Sequence, residues 1–117
     1  MITSICMNPA FDKTVEVDHL IPGGLNRIRD MRQDMGGKGL NVATAAHRLG
    51  LDVQCLGCMG ENGADRLTAM MEREGIRHGF LRVPGDVRTN TKIVSGDGAC
   101  RIEMTGLSGG IHIYMAN

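Results

Sequence analysis

Apolar and polar positions along this chain switch between a period of two and a period near 3.6. Residues 2–7 form a short, mostly apolar run stopped by Asn8-Pro9, since proline disfavours helix before it and supplies no amide; this predicts a strand. Residues 14–18 alternate, with Val15 and Val17 on one side and Thr14, Glu16 and Asp18 on the other, as in a strand wetted on one face. Pro22-Gly23-Gly24 is a turn, and the polar residues 26–35 read as a second exposed strand. Over residues 40–49 the apolar positions Val42, Ala45, Ala46 and Leu49 follow helical spacing, with Gly50 as the stop. Residues 53–56 are then a buried strand. Asn62 is placed to cap a second helix in which Leu67, Met70 and Met71 share a face, Asp65, Arg66, Glu72 and Arg73 are solvated, and Gly75 ends the element. Residues 80–83 read as a third core strand. This order implies parallel strands joined by right-handed crossovers, an α/β fold with helices flanking a parallel sheet.

After a predicted turn at Pro84-Gly85-Asp86, residues 88–95 alternate again and stop at Gly96-Asp97-Gly98. Period two sets Arg88, Asn90 and Lys92 on one face and Thr89, Thr91 and Ile93 on the other. Two cations and an amide within about 14 Å can grip a phosphorylated, hydroxyl-rich ligand. The same pattern also fits an exposed edge strand kept soluble by charge.

A length of 117 residues suits one domain with a modest core. Lys plus Arg and Asp plus Glu number 13 each, so net charge argues neither for nucleic acid nor for an anionic membrane. Residues 1–7 lack the basic start and long apolar stretch of a signal peptide, and no run approaches the ~20 apolar residues of a membrane span; the chain reads as cytoplasmic. Of Cys6, Cys55, Cys58 and Cys100, only Cys55 and Cys58 have ligand-like spacing, and they lie in an apolar run with no second such pair and no histidines at finger spacing. Buried thiols in a reducing compartment fit better than a metal site, and no metal ligands are assigned. Nine methionines against three aromatics indicate a core packed with Met and Leu.

The densest chemistry is Gly36-Gly37-Lys38-Gly39-Leu40-Asn41-Val42-Ala43, a bare backbone opening a helix, where amides without intrahelical partners and the macrodipole favour anionic oxygens. Lys38 adds a full charge. The Walker loop fails here, because Gly39 follows Lys38 and Arg32 holds the first glycine position. The dinucleotide fingerprint fails too, because Val42 stands at its last glycine and no buried strand leads in. A tight strand-to-helix turn with no ligand stays open.

That octapeptide, followed by six residues to Gly50 and nine more to Gly60, resembles the N-terminal signature of the PfkB (ribokinase-like) carbohydrate kinases. The opening Asn8-Pro9-Ala10-Phe11-Asp12 and the strand Arg88-Thr89-Asn90-Thr91-Lys92 look like the branch containing 1-phosphofructokinase and tagatose-6-phosphate kinase. The resemblance covers residues 1 to about 98. It implies an α/β domain with a small β lid that closes over the sugar and often forms a homodimer contact, with lid segments at about 14–35 and 88–104. It implies that Asp12 accepts hydrogen bonds from sugar hydroxyls, that the backbone of Gly37, Lys38 and Gly39 together with Asn41 fixes the sugar, and that Arg88 and Asn90 complete the pocket. Arg88 or Lys38 is then the candidate for the substrate's existing phosphate, and Lys92 is a looser match. Without the resemblance, Asp12 equally suits an Asx-type turn after Pro9.

The resemblance also implies ATP and Mg2+, and transfer from ATP to fructose 1-phosphate giving fructose 1,6-bisphosphate. Family members run far past residue 117 and carry a second motif, Asp-Thr-x-Gly-Ala-Gly-Asp, that supplies the catalytic base and an anion hole; nothing like it occurs here. From about residue 99 the family's Thr-Glu-x-Asn-x-x-Gly gives way to Arg101-Ile102-Glu103-Met104-Thr105-Gly106, and the tail to Asn117 departs from the family. The expectation is one partial kinase domain over residues 1–117, a truncated or frame-shifted reading of a longer gene, with the sugar-phosphate half of a site and no catalytic residue of its own. A noncatalytic sugar-phosphate binding module and a fragment of a tagatose-6-phosphate kinase are the alternatives.

Overall fold

The computed structural model describes residues 1–98, 100–104 and 111–115, the last five as backbone; the expected departure of the tail falls partly outside these residues, at 105–110 and 116–117. Eight strands and two helices follow in the order β1 (Ile2–Cys6), β2 (Ala10–Val17), β3 (Ile28–Gly36), α1 (Lys38–Arg48), β4 (Val53–Asn62), α2 (Ala64–Glu74), β5 (Arg77–Asp86), β6 (Arg88–Ser95), β7 (Cys100–Met104) and β8 (Ile111–Met115). The chain divides into two compact units, one of residues 1–11 and 35–88, the other of residues 12–34 and 89–117.

The first unit is an α/β layer. Its sheet runs β1-β4-β5, with both pairings parallel, Ile2 beside Val53 and Cys55 beside His78. Both helices pack on this sheet, α1 against β1 and β4, α2 against β4 and β5. Between them lies a core that includes Phe11, Leu40, Ala43, Cys55, Leu67 and Met71, all with almost no exposure. The Arg66 guanidinium stacks 4.2 Å from the Phe11 ring centroid, so a cation covers the edge of that core without entering it.

Both helices end as the sequence predicts. At the end of α1, Gly50 N–H donates to His47 O (2.9 Å) and Leu51 N–H to Ala46 O (3.0 Å), the paired bonds of a Schellman cap; Gly75 and Ile76 close α2 in the same way.

Four expectations need correction. The buried stripe of α1 is Leu40, Ala43 and Ala46, whereas Val42 is 56% and Leu49 79% exposed; apolarity marked a face that the packing against β1 turns outward. Asn62 does not cap α2, because it still belongs to β4 and spends its Nδ2 on Asp86 Oδ1 (2.8 Å), while Gly63 takes the N-cap position. Pro84-Gly85-Asp86 is not a turn but the last stretch of β5, tolerated because β5 is an edge of its sheet and Pro84 owes no ladder amide there. Residues 80–83 are less a core strand than expected: Phe80 packs on the core, but Leu81 (71% exposed) and Val83 lie open.

The second unit is a five-stranded sheet in the order β3-β2-β6-β7-β8, with β6–β7 and β7–β8 antiparallel. Val15 and Val17 are buried on β2, as the alternation predicts. Arg29 of β3 donates to both Glu16 and, at 2.9 Å, Asp18, and those carboxylates raise its pKa. The turn after β6 closes with Gly98 N–H on Ser95 O (3.0 Å) and Gly96 N–H on Val17 O (2.6 Å).

Candidate functional site

The glycine loop belongs to the first unit. Strand β3 delivers a buried Gly36, Gly37 serves as the N-cap of α1 at φ 107°, and Lys38 begins the helix. That φ lies in the region where a Cβ is strained, and a Cβ on Gly37 would also sit 3.0 Å from Cys6 Sγ and 3.1 Å from Pro9 Cα. Gly39 is constrained by contact rather than by φ: its Cβ would fall 2.2 Å from the Ile5 carbonyl oxygen. The Ser4 hydroxyl donates to Gly39 O at 2.6 Å and ties the helix start to β1. Two of the loop's glycines are therefore demanded by the fold, Gly39 by the strand it rests on and Gly37 by its φ and the Asn8-Pro9 backbone, whatever the loop binds.

Asn41 N–H donates to Gly37 O (2.8 Å) and closes the first turn of α1, which leaves the amides of residues 38–40 without an acceptor inside the helix. The Lys38 and Asn41 side chains are exposed. Arg88 meets the same neighbourhood, with its Nε–H donating to Asn8 O at 3.2 Å, the carbonyl that also lies 3.4 Å from a Cβ built on Gly37. Gly37, Lys38, Gly39, Asn41 and Arg88 thus all belong to the first unit, with Gly37 and Arg88 converging on Asn8.

Asp12 and Asn90 belong to the second unit, on the adjacent strands β2 and β6. Asn90 Nδ2 donates to Asp12 Oδ1 at 3.0 Å, joining residues 78 apart in sequence. They line a cleft of about 200 Å³ shared with Lys13, Thr14, Lys92 and Glu103. Lys92 faces Glu103 directly across the β6–β7 ladder, with Nζ 3.9 Å from Oε1. Sequence reasoning missed Glu103, since only the β6–β7 register sets it opposite Lys92.

Among the described residues no group of three His, Cys, Asp or Glu side chains could hold a metal ion. All four cysteines are free; Cys55 is fully buried, and burial first, then Cys6, pushes its thiol from 9.0 up to about 11. No helix among the described residues is long and apolar enough to cross a membrane.

Comparison with known proteins follows the same residues. The family model of the pfkB family carbohydrate kinases matches residues 1–107, so the family pattern runs about nine residues past the expected departure near residue 99. The 1-phosphofructokinase of Xanthomonas campestris pv. campestris is 41% identical over 91 residues, 78% of this chain but 29% of that protein. The crystal structure of phosphofructokinase-2 from Escherichia coli in complex with fructose-6-phosphate superposes with a TM-score of 0.78 at 20% identity, over 94% of this chain and 36% of that one. Ribokinase from Thermotoga maritima does so with a TM-score of 0.68 at 25% identity, over 97% and 36%. The chain therefore spans about a third of the length of the proteins it matches, and its α/β architecture is that part of a ribokinase-like fold.

Proposed function

The chain belongs to the pfkB family of carbohydrate kinases, and on that premise we propose that it forms the sugar-phosphate-binding part of a kinase converting fructose 1-phosphate to fructose 1,6-bisphosphate at the expense of ATP. In this reading Asp12 accepts hydrogen bonds from sugar hydroxyls and Asn90 orients it. The backbone of Gly37, Lys38 and Gly39 and the Asn41 amide fix the sugar, while Arg88 or Lys38 takes the phosphate it already carries. The second unit holds most of the segments that the family resemblance assigns to the lid. Its edge strand β3 exposes Ile28 and Met31, which supports a second copy of the chain as a partner there.

The observation that carries the reading is the Asn90–Asp12 hydrogen bond. A carboxylate whose Oδ1 is already held is preset to receive hydroxyl donors with little further ordering. The 41% identity to a 1-phosphofructokinase favours fructose 1-phosphate as acceptor.

Phosphoryl transfer also needs a nucleotide bed, a metal and a base for the acceptor proton. The described residues do not fit a magnesium site, so no step is routed through the metal, and the base is sought outside these residues. The contribution of this chain is binding and orientation, which alone does not move a proton or stabilise the transferring group.

Isothermal titration of the 117-residue chain with fructose 1-phosphate tests the reading. Binding is expected, with Asp12→Ala weakening it by about tenfold or more, the scale of a lost hydrogen bond to a charged group. A coupled assay with ATP is expected to detect no turnover by the chain alone. Equal affinity in Asp12→Ala would overturn the assignment, and an ATP-dependent rate would overturn the division of labour.

A further inference from the structure

Strand β7 places a second carboxylate in the cleft of the second unit, and the geometry points to Glu103 as a specificity-determining residue that receives hydroxyl donors from the uncharged end of the acceptor and keeps phosphate out. The inference rests on the sugar-phosphate reading above. Glu103 sits on β7 directly opposite Lys92 of β6, and Arg101, two residues back on the same face, brings its Nε to 3.6 Å. Both cations meet Oε1. The carboxylate is thus held from two sides while its side chain stays about a third exposed, in a cleft that also holds Asp12.

The charge count decides which part of a ligand fits. The cleft is lined by two carboxylates, Asp12 and Glu103, and two ammonium groups, Lys13 and Lys92. Without Glu103 the balance would be positive, and Lys92 could turn to an anion. With it, Lys92 and the neighbouring Arg101 are both engaged on the Glu103 carboxylate, and a phosphate entering the cleft meets two carboxylates. Ionised carboxylates only accept hydrogen bonds, whereas sugar hydroxyls can donate, so the cleft is matched to the polyol end and mismatched to the phosphate end. This assigns phosphate recognition away from Lys92.

The test is an amide-shift titration of the 15N-labelled 117-residue chain with fructose 1-phosphate and, separately, inorganic phosphate. Fructose 1-phosphate is expected to move the Asp12, Asn90 and Glu103 amides, and inorganic phosphate to leave them in place. Glu103→Gln is expected to weaken fructose 1-phosphate binding by about tenfold and to let inorganic phosphate move the same amides. Should that variant fail to fold, Lys92→Met serves. It keeps the carboxylate, so phosphate exclusion persists while fructose 1-phosphate weakens by roughly threefold through loss of the anchor. Unchanged sugar-phosphate affinity in Glu103→Gln, or phosphate occupying the cleft of the unaltered chain, would overturn the proposal. If the unaltered chain binds no fructose 1-phosphate, the functional reading falls by itself. The phosphate arm then still decides on Glu103: a gain of phosphate binding in Glu103→Gln supports the exclusion role, and no gain removes it.

Discussion

Replacing Gly39 by alanine would separate two reasons for a glycine at the start of α1. The new methyl carbon would lie 2.2 Å from Ile5 O, 2.7 Å from Ile5 C and 2.9 Å from Cys6 Cα, all of them strand backbone. To restore an ordinary contact of about 3.4 Å, the first turn of α1 must recede by roughly 1.2 Å, since no side chain can swing aside. That shift loosens Leu40 and Ala43, which are fully buried, and stretches the 2.6 Å bond from Ser4 to Gly39 O. Overpacking of this kind costs about 1–3 kcal/mol, and the strained hydrogen bond about 1 kcal/mol more. The better helix propensity of alanine offsets about 1 kcal/mol of it. The expected net loss is about 2 kcal/mol, read as a drop in Tm of roughly 8–16 °C for a unit of this size. Gly50→Ala is the control. Gly50 has the positive φ that Gly39 lacks, 83°, but nothing lies within 4 Å of its Cβ, so only the backbone term of about 1 kcal/mol applies. If Gly39→Ala unfolds within about 0.5 kcal/mol of the parent chain in urea, the contact argument is wrong. Retained stability with lost sugar-phosphate binding would then give the glycine to the ligand instead of the strand.

Three more outcomes follow from the core. Because burial holds the Cys55 proton up to about 11 while the unfolded chain releases it near 9, the folded state binds more protons between those values, and stability should fall as pH rises from 9 to 11. Urea midpoints across that range should fall more steeply for the parent chain than for Cys55→Ala, and parallel curves would contradict the assignment. Phe11→Ala should cost about 3–5 kcal/mol in urea denaturation, for loss of a fully buried ring. Arg66→Ala should cost about 0.5–1 kcal/mol for the cation over the ring; equal losses in the two variants would mean that the ring's burial is not what stabilises it.

The order of elements was legible because Gly50 and Gly75 end helices and period-two runs mark strands. Faces and lengths were less so. Val42 and Leu49 look like core residues by composition, but the close seat of Gly39 on β1 fixes the rotation of α1 and buries Leu40, Ala43 and Ala46. Pro84-Gly85 reads as a turn unless β5 is known to be an edge, a property of the whole sheet and not of the dipeptide. Asn62 has the chemistry of a cap, yet Asp86 reaches it first through the β4–β5 pairing. At the site, Asp12 and Asn90 were named from motifs and are bonded to each other, while Glu103 needed the register of two strands before it could be placed.

The chain crosses between its two units three times, at residues 11/12, 34/35 and 88/89, and this sets an order on folding. β4, α2 and β5 are contiguous, so their parallel pairing closes only the short crossover between them. β1 lies at the other end of an excursion through residues 12–34 and must find Val53 and its neighbours across about fifty residues of chain. Loop-closure entropy makes that step the late one, although the cost grows only slowly with length. The βαβ segment Val53–Asp86 is then expected to pair first, with β1 docking after it. Gly39 rests on that strand, so the glycine loop is expected to take its final form only after β1 has docked.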